Sequence, residues 1–116
     1  MILLDIYSLR FIPLSERLKN SHPFLRQLTS LSIDLFDPKS IIVFGSRARG
    51  DHRPRSDIDI AFEDVKSEEG WAHFLTTLEE SAETLLEFDL VRYEEVTSDF
   101  RKKIDQEGIV IYERPT

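Results

Sequence analysis

The sequence predicts an α+β fold, in which a small mixed β-sheet carries helices packed mainly on one face. Apolar residues at helical spacing alternate along the chain with short apolar runs typical of strands. With 116 residues, of which 41% are hydrophobic and 32% charged, the chain has the size and composition of one compact domain. We therefore expect a single domain over 1–116, divided into an N-terminal helical part, 1–40, and a core, 41–113.

The first half of the chain predicts one helix and one strand. A helix should begin at Ser21–Pro23 and end before Asp37–Pro38, since proline is tolerated in a first turn and breaks a helix elsewhere. Residues 41–44 are a continuous apolar run followed at once by Gly45. Such a run predicts a buried strand that meets a tight turn.

The second half predicts three strands separated by two helices. Residues 57–62 alternate polar and apolar side chains, which favours a strand with one buried face. Apolar spacing then predicts a helix over 71–85, and 88–91 form a further strand. Thr97 or Ser98 can cap a helix that Gly108 ends, before a last strand at 109–112.

Composition excludes several classes of function. With 22 acidic and 15 basic side chains the formal net charge is -7, so the chain as a whole should not attract nucleic acid or an anionic membrane. The absence of cysteine excludes disulfides and thiolate metal sites, and it is compatible with a reducing cytoplasm. We read no signal peptide at the start and no membrane-spanning run, so we expect a cytoplasmic protein without membrane contact.

The stretch from Gly45 to Asp59 is the most informative for chemistry. Gly45 allows a sharp turn after the strand, and N–H groups of a helical turn beginning at Ser46 could bind a phosphate together with the Ser46 hydroxyl. A Gly-Ser pair after a strand is by itself more often a simple turn. Among the arginines that follow, Arg47 and Arg49 lie nearest to it and are candidate phosphate ligands; the alternative is a solvated charged loop.

Three aspartates provide the second half of a candidate site. Asp57 and Asp59 are two residues apart on a strand and therefore project from the same face, where they could hold a divalent cation. Asp89 would join them if its strand lies beside theirs. Three carboxylates with open coordination positions are typical of a magnesium site. An exposed edge strand with solvated aspartates is the alternative.

The complete pattern resembles the polymerase-beta-like nucleotidyltransferase superfamily. Gly45-Ser46 is followed after ten residues by Asp57-Ile-Asp59, and the fuller form Gly-Ser-Arg-Ala-Arg-Gly-Asp with Ser-Asp-Ile-Asp is similar to the minimal nucleotidyltransferases. Members of that family are usually encoded beside a HEPN-domain protein, as antitoxin and toxin. The resemblance runs from about Ile41 to Tyr112, which would make 41–113 the catalytic core.

The resemblance implies transfer of AMP from ATP to a hydroxyl, with release of pyrophosphate. Gly45 and Ser46 would bind the triphosphate, Asp57 and Asp59 would bind Mg²⁺, with two ions expected, and Asp89 would be a further ligand or the base. The acceptor would be a tyrosine of a HEPN ribonuclease toxin, which implies a hetero-oligomer with that toxin and no direct contact with nucleic acid. Little chain remains for a second lobe, so another protein is expected to present the acceptor.

Two other functions stay open on the sequence. The chain could neutralise a toxin by occlusion, with its catalytic residues unused. Alternatively, it could transfer a nucleotide to a small molecule, which would need an acceptor pocket formed by dimerisation.

Overall fold

The computed structural model describes residues 14–19, 22, 24–51, 57–80 and 88–116. Within these ranges the chain forms helices and strands in the following order: α1 Leu14–Lys19, α2 Leu25–Phe36, β1 Ser40–Phe44, α3 Gly45–Arg49, β2 Ile58–Glu63, α4 Glu68–Glu79, β3 Phe88–Arg92, a 3₁₀ turn Tyr93–Glu95, α5 Ser98–Glu107 and β4 Ile109–Glu113. The predicted α+β class is confirmed.

The four strands form one mixed sheet in the order β3-β2-β1-β4. Strand β1 runs antiparallel to β2 and β4, whereas β2 and β3 are parallel. The end of β1 therefore lies at the same edge of the sheet as the starts of β2 and β3. We call this end of the sheet the carboxylate edge, because Asp59 and Asp89 are the second residues of their strands there.

One face of the sheet is covered by α2 and α4. Side chains of β2 that point to this face, such as Ile60 and Phe62, are completely buried. Phe62 packs edge to face against Phe36 of α2 and against Phe74 of α4, with ring centroids 5.3 and 5.6 Å apart. Such contacts add about 1 kcal/mol per pair to the free energy gained by burying the rings. This aromatic cluster makes the covered face the main core.

The opposite face has a smaller apolar cluster beneath α5. Ile104 of α5 is completely buried there and packs with Phe44 and Ala61 of the sheet. Thr97 caps the start of this helix, since its side chain accepts a hydrogen bond from Phe100 N–H at 3.2 Å. The expectation that helices lie mainly on one face is thus confirmed, and within the described ranges α5 lies on the other face.

The predicted elements are found with small shifts of their ends. Helix α2 begins at Leu25, and the predicted starting residues Ser21 and Pro23 lie outside the described ranges. Helix α4 starts at Glu68, three residues earlier than predicted, because Ser67 caps it by accepting a hydrogen bond from Gly70 N–H. The predicted extension of this helix to 85 falls on residues that the structure does not describe. None of the helices in the described ranges is long and apolar enough to cross a membrane.

Candidate functional site

The turn at the end of β1 brings the backbone against a carboxylate. Phe44 is extended, and Gly45 then adopts φ +72°, the left-handed region that favours glycine, so that α3 starts directly after the strand. A Cβ atom placed on Gly45 would overlap Oδ2 of Asp59. The carboxylate of Asp59 therefore lies directly over Gly45, and a larger residue at this position would have to displace it.

Asp59 and Asp89 face each other across the parallel pair β2 and β3. The two residues are register partners, and their apolar neighbours Ile58 and Phe88 are buried in the main core on the other face. Asp57 precedes β2 by one residue and is exposed, as is Asp89, whereas Asp59 is half-buried. The alternation predicted from the sequence thus puts the carboxylates of these two strands on the face opposite the core.

The electrostatics of Asp59 reflect this crowding. Partial burial and then the charges of Asp89 and Asp57 raise the pKa of Asp59, while the charge of Lys103 acts in the opposite direction. Like charges on neighbouring strands disfavour each other's ionisation. A bound divalent cation would remove this repulsion.

The carboxylates of Asp59 and Asp89 are suited to Mg²⁺, although the side chains are not arranged as a complete binding site. Among the described residues, no three acidic or histidine side chains are already gathered closely enough to enclose a metal ion. Asp59 and Asp89 nevertheless provide two carboxylates at paired positions of adjacent strands, and a cation would offset both the burial and the repulsion that raise the pKa of Asp59. Magnesium usually takes one or two protein carboxylates and completes its shell with water and phosphate oxygens. The residues therefore fit this ion.

Helix α3 holds the candidate phosphate ligands beside the carboxylate edge. Ser46 and Arg47 are half-buried, and Arg49 is exposed. Arg49 donates from Nη1 to Glu107 at 2.9 Å and from Nε to Asp51 at 3.3 Å. The helix ends at Gly50 in the left-handed conformation. Arg49 is thus exposed, as in the alternative of a solvated charged loop, but it is held by two carboxylates, Asp51 and Glu107.

Two residues near the site were missed by the sequence analysis. Glu107 of α5 accepts a hydrogen bond from Gly45 N–H at 3.0 Å, and Lys103 is close enough to influence the pKa of Asp59. They are four residues apart, so they share one face of α5. That spacing is visible in the sequence, but only the packing of α5 against β1 and β2 shows that this face meets the site.

The fold resembles chains of several solved toxin–antitoxin complexes. One complex, determined with AMP-PNP, has a chain 20% identical that aligns over 77% of this protein and 73% of its own length, with a TM-score of 0.60. A second is the tri-AMPylated HEPN toxin of Shewanella oneidensis with an MNT antitoxin; its chain is 16% identical over 87% of this protein and 74% of its own, with a TM-score of 0.56. At this identity the likeness establishes the fold.

A third similar chain comes from a MntA–HpeT toxin–antitoxin pair in which two aspartates are replaced by glutamate. It is 18% identical over 77% of this protein and 72% of its own length, with a TM-score of 0.58. No curated protein matches the sequence. The family described as "Polymerase beta, Nucleotidyltransferase" matches residues 26–116, which include the turn, α3 and all four strands. The chain belongs to the polymerase beta nucleotidyltransferase family.

Proposed function

We propose that this protein is a Mg²⁺-dependent adenylyltransferase that moves AMP from ATP to the hydroxyl group of a tyrosine in a HEPN ribonuclease toxin. This modification neutralises the toxin. The observation that carries the proposal is the arrangement at the carboxylate edge, where Asp59 lies over the Gly45 turn and opposite Asp89. The hydrogen-bond donors proposed to bind phosphate and the carboxylates proposed to bind metal thus lie together at the carboxylate edge. Transfer of a phosphoryl group requires this combination of positioning and charge neutralisation.

In this proposal, α3 and the turn before it hold the triphosphate. Gly45 and Ser46 contribute backbone N–H groups and a hydroxyl, and Arg47 and Arg49 contribute cationic donors. Arg49 is exposed and stands beside the carboxylate edge through its contact with Glu107, which itself bonds Gly45. Guanidinium groups match phosphate oxygens with paired donors, so they can orient the tail as well as neutralise it.

Two Mg²⁺ ions would be held by Asp57, Asp59 and Asp89. The bound metal would neutralise charge on the phosphates and on the entering and leaving oxygens. The acceptor oxygen forms a bond to the α-phosphorus of ATP as the bond from that phosphorus to the bridging oxygen breaks, and pyrophosphate leaves. Asp89 is the residue proposed to take the hydroxyl proton or, alternatively, to be a further ligand. Its exposure at the edge of the sheet is compatible with access by a large acceptor.

The proposed partner rests on the similar complexes and on charge. One similar chain comes from a complex of an AMPylated HEPN toxin with an MNT antitoxin, and another from a complex with AMP-PNP. A net charge of -7 favours association with a basic partner, such as a protein that binds RNA, over direct contact with nucleic acid. We accordingly propose a hetero-oligomer with the toxin, in the cytoplasm.

Label transfer tests this function. The purified protein is mixed with a HEPN protein encoded beside it, Mg²⁺ and ATP labelled at the α-phosphate. Label should appear on the HEPN protein, and Asp57→Ala or Asp59→Ala should abolish it. Asp34→Ala is the matched control, because Asp34 is an exposed aspartate of α2, the helix packed on the opposite face of the sheet.

The two other functions predict different results. Transfer that survives both aspartate changes would contradict the mechanism. If both variants transfer no label but still protect cells from the toxin, neutralisation is by occlusion. Label that appears on an added small molecule in the absence of any HEPN protein would indicate the third function.

A further inference from the structure

Glu107 contacts two of the groups that we assign to the phosphates of the nucleotide. Its Oε1 accepts a hydrogen bond from Gly45 N–H at 3.0 Å, and its Oε2 accepts one from Nη1 of Arg49 at 2.9 Å. The Glu107 side chain is only 16% exposed, whereas that of Arg49 is 42% exposed. Both carboxylate oxygens are thus engaged in a partly shielded position beside the turn.

These contacts are of the kind that a phosphate would make. A backbone N–H and a guanidinium are the donors that recognise anionic oxygens, whether these belong to a carboxylate or to a phosphate. Arg49 is also paired through Nε with Asp51, so two of its three nitrogens already donate to carboxylates. An incoming phosphate would therefore compete with an anion that the protein itself supplies.

The charge of Glu107 adds to this competition. Its carboxylate accepts from Gly45 N–H, and Oδ2 of Asp59 lies against the same glycine, so Glu107 and the proposed metal ligands share one local field. A triphosphate carries several negative charges, so an ionised carboxylate at the turn repels it. Glu107 is the last residue of α5, whereas the helix is anchored in the core by Ile104 one turn earlier. The side chain can change rotamer without moving that anchor.

We propose that Glu107 is an affinity-setting residue, which competes with the phosphates of the nucleotide for Gly45 N–H and Arg49 and must leave them before the triphosphate binds fully. This inference rests on the proposed function, because it takes the Gly45–Arg49 segment as the phosphate site. In this proposal the contact between Glu107 of α5 and Arg49 of α3 belongs to the nucleotide-free protein.

The test is Glu107→Gln, measured by calorimetric titration with AMP-PNP and Mg²⁺. Glutamine has the same length and retains an oxygen that can accept from Gly45 N–H, but it removes the charge and replaces the oxygen that accepts from Arg49 by an NH₂ group, which is a donor. Loss of one unit charge close to the phosphates should tighten binding on the order of tenfold at low ionic strength. The gain should shrink at 0.5 M salt, since salt screens charges that are reached by solvent.

A matched variant and a second ligand make the result specific. Glu113→Gln causes the same change of net charge, but Glu113 is exposed and pairs with Ser40, at the other end of β1. It should leave binding unchanged. AMP lacks the β- and γ-phosphates, so Glu107→Gln should change its affinity much less than that of AMP-PNP.

Each outcome decides the matter. Tighter binding of AMP-PNP to Glu107→Gln alone supports the inference. Unchanged or weaker binding, or an equal gain for AMP, overturns it and leaves the nucleotidyltransferase proposal intact, since the wild-type protein still binds AMP-PNP. If neither protein binds AMP-PNP, the proposed function fails, and this inference fails with it.

Discussion

Replacing Asp59 by asparagine should make the metal-free protein more stable while abolishing nucleotide transfer. In the folded chain Asp59 is half-buried and lies opposite Asp89, with Asp57 two residues away. Burial and these like charges raise the pKa of Asp59, so its ionised form is held at a cost. Asparagine has nearly the same shape and is uncharged, so the variant removes that cost.

The size of the effect follows from the cross-strand pair. A pair of like charges directly opposite each other on neighbouring strands destabilises a sheet by roughly 0.2–1 kcal/mol, and the partial burial of Asp59 adds to this. The nearby charge of Lys103 offsets a part. We expect a net gain of about 1 kcal/mol, which raises Tm by about 4 °C in a domain of this size.

The pH dependence has a definite sign. Because the folded-state pKa of Asp59 is raised, the folded protein is relatively favoured at low pH, where the group is protonated, and loses that advantage as the pH rises through the folded pKa. The difference in stability between Asp59→Asn and wild type should therefore be present at pH 7 and vanish toward pH 3. Mg²⁺ should raise the Tm of the wild type more than that of the variant.

Thermal unfolding in metal-free buffer, followed by circular dichroism with and without Mg²⁺, measures these effects. Asp34→Asn, an exposed aspartate away from the carboxylate edge, is the control for the change in net charge. A lower Tm of Asp59→Asn at pH 7 without metal would refute the reasoning. It would mean that attraction to Lys103 outweighs the repulsion and that the carboxylate is a stabilising structural group.

Three further changes test other parts of the structure. Gly45→Ala and Gly50→Ala each place alanine at a positive φ, which costs about 1 kcal/mol of stability, but only the Cβ at position 45 overlaps Asp59. Label transfer should therefore fall about 100-fold in Gly45→Ala and only a few-fold in Gly50→Ala. Equal losses in the two variants would contradict the close approach of Asp59 to Gly45. The hydrogen bond from Tyr93 to Asp105 raises the pKa of Tyr93 to about 12, so ultraviolet titration should show a late tyrosinate step that Tyr93→Phe removes. The stability of the wild type should fall between pH 10 and 12, because the unfolded chain loses the Tyr93 proton at a lower pH than the folded chain does. A wild type that shows no late tyrosinate step would exclude the hydrogen bond to Asp105. Thr97→Ala should lower the free energy of unfolding by about 1 kcal/mol in urea and Thr97→Ser by less; equal losses would mean that the hydroxyl does not cap α5.

The elements of the fold were predictable because their signals are local. The period of two over residues 57–62 fixes which side chains of β2 enter the core, and a continuous apolar run marks β1. The short helix α1 and the 3₁₀ turn have no such period, so they were not predicted individually. The order of the strands is likewise absent from any local window, since β3 pairs with β2 only after the chain has crossed the sheet through α4.

In the candidate site, too, the local features were predictable from the sequence and the long-range contacts were not. The spacing from the Gly45 turn to Asp59 is written in the sequence, whereas the pairing of Asp59 with Asp89 depends on the register of two strands far apart along the chain. Glu107 could not be predicted, because its contact with Gly45 joins residues that are 62 positions apart. Its role depends on how α5 lies on the sheet, which tertiary packing alone determines.

The alternation along β2 ties reactivity to folding more closely than loop-borne active sites do. A slip of one residue between β1 and β2 would turn Asp59 inward among the aromatic rings and drive Ile58 and Ile60 out into water. No partly misaligned state can therefore retain an intact interior and lose only its acidic groups. Selection for a tight hydrophobic interior would, on this sheet, also preserve the alignment of the carboxylates, and variation could accumulate at the exposed positions of the covering helices without disturbing either.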